Sequence, residues 1–375
     1  MAGVATVATA VRRFGPAYRA RFGAAMPARH RRALDDLAAC RTAALGGHVT
    51  QCDTCGAEHY VYHSCRNRSC PSCHGVSTRA WVTARETELL PVPYFHVVFT
   101  LPAELRALVR SHQRVLLGAL MRTAAETLQA LAADPHYVGG TLGILAVLHT
   151  WTRTLLYHPH VHCLVPGGGL AADGVTWRPA RGRYLVPVRA LSVRFRARFL
   201  ARLRAALPDV VVPAAAWAKP WVVYAKPTVQ GSALVLRYLA RYVHRVAITD
   251  ARILAVDAST VTFRYRDARA PAWRTMTLAG EEFLRRFLQH VLPRGFHKVR
   301  YYGFWRPRAA PVRARLQQRL APPTPLAPCP APPACGPPIA TPPLHRRCSQ
   351  CASGQLHIVR RLARARVVVP TARPP

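Results

Sequence analysis

The run His158-Pro159-His160-Val161-His162-Cys163-Leu164-Val165-Pro166 sets imidazoles into a strand-like apolar alternation. On a β-strand, side chains alternate faces. His158, His160 and His162 then share one face, and Val161, Cys163 and Val165 take the other. Pro159 has no N–H to give to a ladder, so regular pairing starts near it. Two imidazoles at i and i+2 reach one divalent ion, and two or three protein ligands leave positions open for substrate oxygens. The plain alternative is a chance stack of surface histidines, which suits an alternating apolar strand poorly. His158 is the nearest candidate for a third ligand. His149 and His96 stand behind it, because both lie in predicted strands.

A second constellation is VLRYLARYVHRV, residues 235–246. At 3.6 residues per turn Arg237, Arg241 and Arg245 form one stripe, with Val235, Leu239, Val243 and Val246 roughly opposite. Tyr238 and Tyr242, four apart, share the border between the stripes. A phenol with a pKa of about 10 is a poor nucleophile. Neighbouring guanidinium groups favour the phenolate, and a metal-polarised phosphorus is a better target for it. Two amphipathic tyrosines packing at a helix edge would be the simpler reading if they stood alone.

The third constellation is rich in cysteine. Cys52-x-x-Cys55 and Cys70-x-x-Cys73 form paired knuckles suited to a tetrahedral thiolate zinc site, which has no open position and is therefore structural. Cys40, His48 and Cys65 in the same stretch are second-rank ligands, while His59 and His74 read as solvated loop histidines. Arg66 and Arg68 beside the knuckles are candidate phosphate contacts. Further along, Cys348-x-x-Cys351, with Cys329, Cys335 and His345, is a looser possible zinc set interrupted by prolines.

The elements that must position these groups follow from the surrounding sequence. Residues 1 to about 39 read as short basic helices. Residues 40–75 hold too few apolar side chains for a normal core and need a staple. VPYFHVVFTL, residues 92–101, reads as a buried strand ending at Pro102. Residues 103–132 carry helical spacing, and residues 143–165 hold one or two strands ended by Pro166 and Gly167–Gly169. A proline-rich spacer over residues 321–343 and an arginine-rich run, Arg360 to Arg366, follow. The expected division is an N-terminal zinc-binding part over 1–90, a catalytic part over 91–308 and a proline-rich basic tail over 309–375.

Charge narrows the partner. The 375 residues carry 53 Lys+Arg against 16 Asp+Glu, a formal net charge of +37, and no acidic residue follows Glu282. A coding bias explains arginine over lysine but not the scarcity of acids. Such a chain repels itself unless a polyanion neutralises it, so nucleic acid leads and an anionic membrane surface comes second. A small-molecule enzyme needs no such imbalance. The longest apolar stretch falls well short of the ~20 residues of a membrane span. Arg12 and Arg13 follow the N-terminal apolar stretch, the reverse of a secretory signal. A cytoplasmic, nucleoid-associated protein is expected, and its eleven cysteines read as metal ligands rather than disulfides.

In combination these segments resemble the two-tyrosine HUH transposases of the insertion sequence 91 family, bacterial rolling-circle elements. The resemblance runs over most of residues 10–305. It is carried by CRTAALGGH (Cys40 to His48), SCRNRSCPSC (Ser64 to Cys73), PVPYFHVVFTLP (Pro91 to Pro102), LLYHPHVHCLVPGGGL (Leu155 to Leu170), WVVYAKP (Trp221 to Pro227), YLARYVHRVAI (Tyr238 to Ile248) and FHKVRYYGFW (Phe296 to Trp305). It implies an α+β fold, with an HUH-type antiparallel sheet flanked by helices and preceded by a small zinc-binding module. His160 and His162 would hold Mg2+ or Mn2+. Tyr238 and Tyr242 would attack single-stranded DNA at transposon ends and target, leaving a 5′-phosphotyrosine and a free 3′-OH. Ser69 stands where the family pattern has His, and His74 where Gln is usual. Two other readings compete: a non-catalytic zinc-containing DNA-binding repressor, and a replication initiator or relaxase with the same chemistry. Intact His160/His162 and Tyr238/Tyr242 oppose the first. The upstream zinc cluster opposes the second.

Overall fold

The computed structural model describes residues 4–73, 75–181, 185–227, 247–267, 272–321 and 347–365. Its helices are α1 (Val7–Phe22), α2 (Ala28–Ala39), α3 (Gly75–Glu86), α4 (Arg106–Ser111), α5 (Gln113–Ala132), α6 (Val188–Ala206), α7 (Ala215–Ala218), α8 (Gly280–Leu288) and α9 (Ala310–Leu320). Its strands are β1 (Gly47–Cys52), β2 (Glu58–Tyr62), β3 (Tyr94–Thr100), β4 (Gly143–Trp151), β5 (Tyr157–Pro166), β6 (Gly168–Leu170), β7 (Trp177–Pro179), β8 (Val223–Pro227), β9 (Ile253–Val256), β10 (Thr260–Arg266), β11 (Trp273–Ala279), β12 (Val299–Gly303) and β13 (Leu356–Leu362).

The sheet that carries the histidines has the order β12-β4-β5-β3-β8, with every neighbour antiparallel. The histidine strand, β5, lies at its centre. Alternation along three strands sends Phe95, Val97, Phe99, Ile144, Ala146, Leu148, Val161, Cys163 and Val165 into one core. Helices α5 and α6 cover that face with Leu116, Leu120, Leu128, Phe195 and Phe199. At about 25 cal/mol per Å2 of apolar area this layer is the main stabiliser of the sheet. The same parity forces His96, His149, His160 and His162 onto the opposite face. Cys163 is fully buried in the helix-covered core, as its position on the strand requires.

The helical spacing over 103–132 resolves into α4 and α5 with a break at His112, whose φ of −115° and ψ of 42° leave the helix. Ser111 accounts for the break: its hydroxyl donates to the carbonyls of Ala107 and Leu108. Such back-bonding competes with the helical ladder.

A second core joins the chain's N-terminal helices to a later segment. Val7, Val11, Phe14 and Tyr18 of α1 and Leu34 and Leu37 of α2 pack with Ile253, Val261, Phe263, Phe283 and Phe287. α1 begins with Thr6, whose hydroxyl accepts the Thr9 N–H at 3.0 Å, the preferred N-cap arrangement. β9, β10 and β11 form a separate three-stranded antiparallel sheet in this core. Cys40 and Cys70 are also buried there, so the zinc module is built into the body of the protein. Among the described residues no helix is long and apolar enough to cross a membrane.

Candidate active site

The register of the central sheet assembles the histidines. His149 on β4 lies opposite His160 on β5, and Val98 of β3 lies opposite His162. One ring nitrogen from each of His149, His160 and His162 falls within 4.8 Å of the others. The rings of His149 and His162 have centroids 4.5 Å apart, and those of His160 and His162 4.9 Å. Three imidazoles are therefore donated by two adjacent strands, with His149 the third member of the group.

The surroundings orient each ring. The Nδ1 of His160 lies 2.7 Å from the carbonyl of His158. A carbonyl only accepts, so Nδ1 carries the proton and Nε2 keeps its lone pair. His96 on β3 sits behind the trio, its Nε2 2.8 Å from His162 Nδ1 and the two ring planes parallel to within 5°. Trp151 stacks on His149 at 4.5 Å. Burial pushes His160 and His96 down to about 4. Both are neutral near pH 7, the form that ligates a metal. This donor set fits a divalent ion with open positions.

His158 sits differently. Its Nδ1 accepts from the Arg106 guanidinium at 2.9 Å, which places the proton on Nε2. It shares the face of β5 but is not among the three converging nitrogens. Tyr238, Tyr242, Arg237, Arg241 and Arg245 lie outside the described residues. The chain enters that segment from β8, where exposed Tyr224 stands edge-on to His96 at 6.4 Å. It leaves at buried Ala247, which lines a small cavity together with Trp151, Phe287 and His290.

The cysteines divide into two groups of four rather than one. Cys40, Cys65, Cys70 and Cys73 converge, and Cys52 and Cys55 meet Cys348 and Cys351 instead. The β1–β2 hairpin explains the division. Gly47 pairs with Tyr62 at one end and Gln51 with Glu58 at the other. Cys40 precedes the first end and Cys65 follows it, whereas Cys52 and Cys55 occupy the turn about 15 Å away at ~3.3 Å per residue. Pairwise Sγ distances in the first group are 3.6 Å for Cys40–Cys73, Cys65–Cys73 and Cys70–Cys40. Zn–S bonds of about 2.3 Å in a tetrahedron give S···S near 3.8 Å, so this group suits a structural zinc. His48 is in neither group. It lies on β1 with its ring 6.1 Å from that of His63. Cys329, Cys335 and His345 lie outside the described residues.

The two arginines singled out beside the knuckles have different surroundings. Arg68 donates to the carbonyls of Phe296, Leu292 and Pro293 at 2.6, 2.7 and 2.6 Å. Its fork thus ties the zinc module to the segment after α8. Arg66 is exposed and, with Arg29, Arg32 and Arg294, lines an open groove between that module and the same segment.

In the sequence His158 stands nearest to His160 and His162, whereas the register that sets His149 opposite His160 is not visible there. The alternation Leu145, Val147, His149, Trp151 was the available signal. Nothing local to Cys52 points to a partner almost three hundred residues away.

Residues 10–101 match the family model described as "Transposase zinc-binding domain", and residues 143–311 match the one described as "Putative transposase". A protein of Sinorhizobium fredii described as "Putative transposase y4qJ" is 43% identical over 317 residues, 80% of this chain and 79% of that protein. The transposase for insertion sequence element IS801 of Pseudomonas savastanoi pv. phaseolicola is 33% identical over 282 residues, covering 71% of this chain and 68% of that protein. No solved structure matches this chain. On these matches the chain belongs to the insertion sequence 91 family of transposases.

Proposed function

We propose that this transposase nicks single-stranded DNA at element ends and at the target, using tyrosine as nucleophile, and transfers strands by a rolling-circle-like route. The observation that carries the reading is the convergence of His149, His160 and His162 within 4.8 Å on the face of the central sheet opposite α5 and α6. These three residues would hold Mg2+ or Mn2+, which when bound draws charge from a phosphate oxygen and makes the phosphorus more electrophilic. His96, through its 2.8 Å contact with His162, and the His158 carbonyl, through His160 Nδ1–H, keep the ligating nitrogens aimed into the site.

Tyr238 and Tyr242 supply the nucleophiles. The phenol oxygen attacks phosphorus and the P–O3′ bond breaks. The phenolic proton is lost and the 3′-oxygen gains one, which leaves a 5′-phosphotyrosine and a 3′-OH. Two observations support a tyrosine reaching the site. Tyr242 precedes Ala247 by five residues, a reach of at most about 17 Å. Ala247 lines the cavity that includes Trp151, the residue stacked on His149. Arg237, Arg241 and Arg245 would carry the strand's phosphates, joined by the groove arginines Arg29, Arg32, Arg66 and Arg294.

The test is incubation of the purified full chain with labelled single-stranded oligonucleotides bearing element ends and Mn2+, followed by SDS electrophoresis. A covalent adduct is expected in the wild type. It is lost in the Tyr238→Phe/Tyr242→Phe double variant, whose salt-sensitive DNA binding persists. An adduct that survives in the double variant, or none with any end sequence, overturns the reading.

A further inference from the structure

We propose that Cys52, Cys55, Cys348 and Cys351 form a second structural zinc site, which clasps the strand β13 onto the amino-terminal hairpin. The matched zinc-binding region ends at residue 101, so half of this site lies beyond it. The two knuckles are brought together although Cys55 and Cys348 stand 293 positions apart in the chain.

The geometry is that of a thiolate tetrahedron. Sγ of Cys52 is 3.7 Å from that of Cys351, and Sγ of Cys55 is 3.7 Å from that of Cys348. A disulfide would place sulfurs at about 2.05 Å, and Zn–S bonds of about 2.3 Å place them near 3.8 Å. Each knuckle also turns backbone N–H groups onto its own sulfurs. The Cys55 N–H donates to Cys52 Sγ at 3.5 Å, Gln350 to Cys348 at 3.4 Å and Gly354 to Cys351 at 3.3 Å. Such donors stabilise the thiolate that binds metal. His59 adds its Nε2 at 3.5 Å from Cys348 Sγ.

The loops fit this purpose. Asp53 and Gln355 are joined by two hydrogen bonds, Asp53 N–H to the Gln355 carbonyl at 3.1 Å and Gln355 N–H to the Asp53 side-chain carboxylate at 2.8 Å. A Cβ at Gly354 would run into Cys52 Sγ, so the two turns approach as closely as glycine permits.

Apolar burial does not hold β13 in place. It pairs with β1 from Gly47↔Leu362 to Cys52↔Leu356, yet Ile358 and Val359 are 63% and 51% exposed. An edge strand with so little buried surface needs another anchor. The clasp fixes Arg360, Arg361 and Arg364 on one ordered, exposed edge.

The test is metal content and thiol protection of the full chain. Elemental analysis of C348S/C351S is expected to show one zinc fewer per chain than wild type. In the wild-type protein Cys52, Cys55, Cys348 and Cys351 are expected to resist iodoacetamide together and to become reactive together on chelation, as mapped by mass spectrometry. This second measurement needs no variant to fold. Equal zinc in wild type and C348S/C351S overturns the proposal, as does alkylation of Cys348 and Cys351 in untreated protein while Cys52 and Cys55 stay protected.

Discussion

His96 and Arg68 show how much of this protein's chemistry is done by groups one step removed from the reacting atoms. His96 touches no substrate in this account. It aims His162, and groups that orient a metal ligand are typically worth 10–100-fold in metal affinity. His96→Ala is therefore expected to raise the Mn2+ concentration needed for nicking by about 10–100-fold, while DNA binding stays unchanged. A metal titration of adduct yield checks this. Arg68 satisfies three carbonyls at 2.6–2.7 Å. Arg68→Ala leaves them without that donor and should lower stability by about 2–4 kcal/mol, read as a shift in the denaturation midpoint. A phosphate contact alone would leave the midpoint where it is and move only the salt dependence of DNA binding.

At the scale of elements, the strands were legible because burial on one face writes a period of two into the sequence. β5 carries it, and so the shared face of His158, His160 and His162 could be read, while the central place of that strand in an antiparallel sheet was implied only by the family resemblance. The register between strands was not legible, since it depends on which apolar side chains meet across the sheet. That is why His149 became visible as the partner of His160 only in three dimensions. The cysteine pairing was illegible for a similar reason: β1 and β13 meet by tertiary pairing, and no local pattern records it. The packing between β12 and β4 supplies a test of the sheet. A Cβ at Gly143 would collide with the Phe304 ring, and overpacking of this kind costs about 1–3 kcal/mol. Gly143→Ala should lower the thermal midpoint. Gly143→Ala combined with Phe304→Leu, which makes room, should recover part of the loss.

For the whole molecule, the excess of 53 basic over 16 acidic residues makes its association with DNA a matter of counterion release. The logarithm of affinity should fall linearly with the logarithm of salt, by about 0.7 per phosphate contact on single strands. Filter binding from low to high salt measures that slope. The fold also buries neutral imidazoles. Burial pushes His96 and His290 from about 6.5 down to about 4. Below pH 6.5 the unfolded chain takes up protons that the native state refuses. Stability is therefore full above about pH 6.5 and lost as pH falls toward 4, by about 3 kcal/mol per buried histidine. Urea midpoints from pH 8 to pH 4 should show this decline. A flat profile would mean that these rings are protonated in the fold.

We propose that His149, and not His158, completes the metal centre with His160 and His162. It is tested most directly by the SDS-stable DNA adduct in Mn2+ for His149→Ala and His158→Ala side by side. His149→Ala is expected to abolish the adduct while retaining DNA binding, and His158→Ala is expected still to form it. An adduct that survives His149→Ala, or one that disappears in His158→Ala with DNA binding intact, would contradict it.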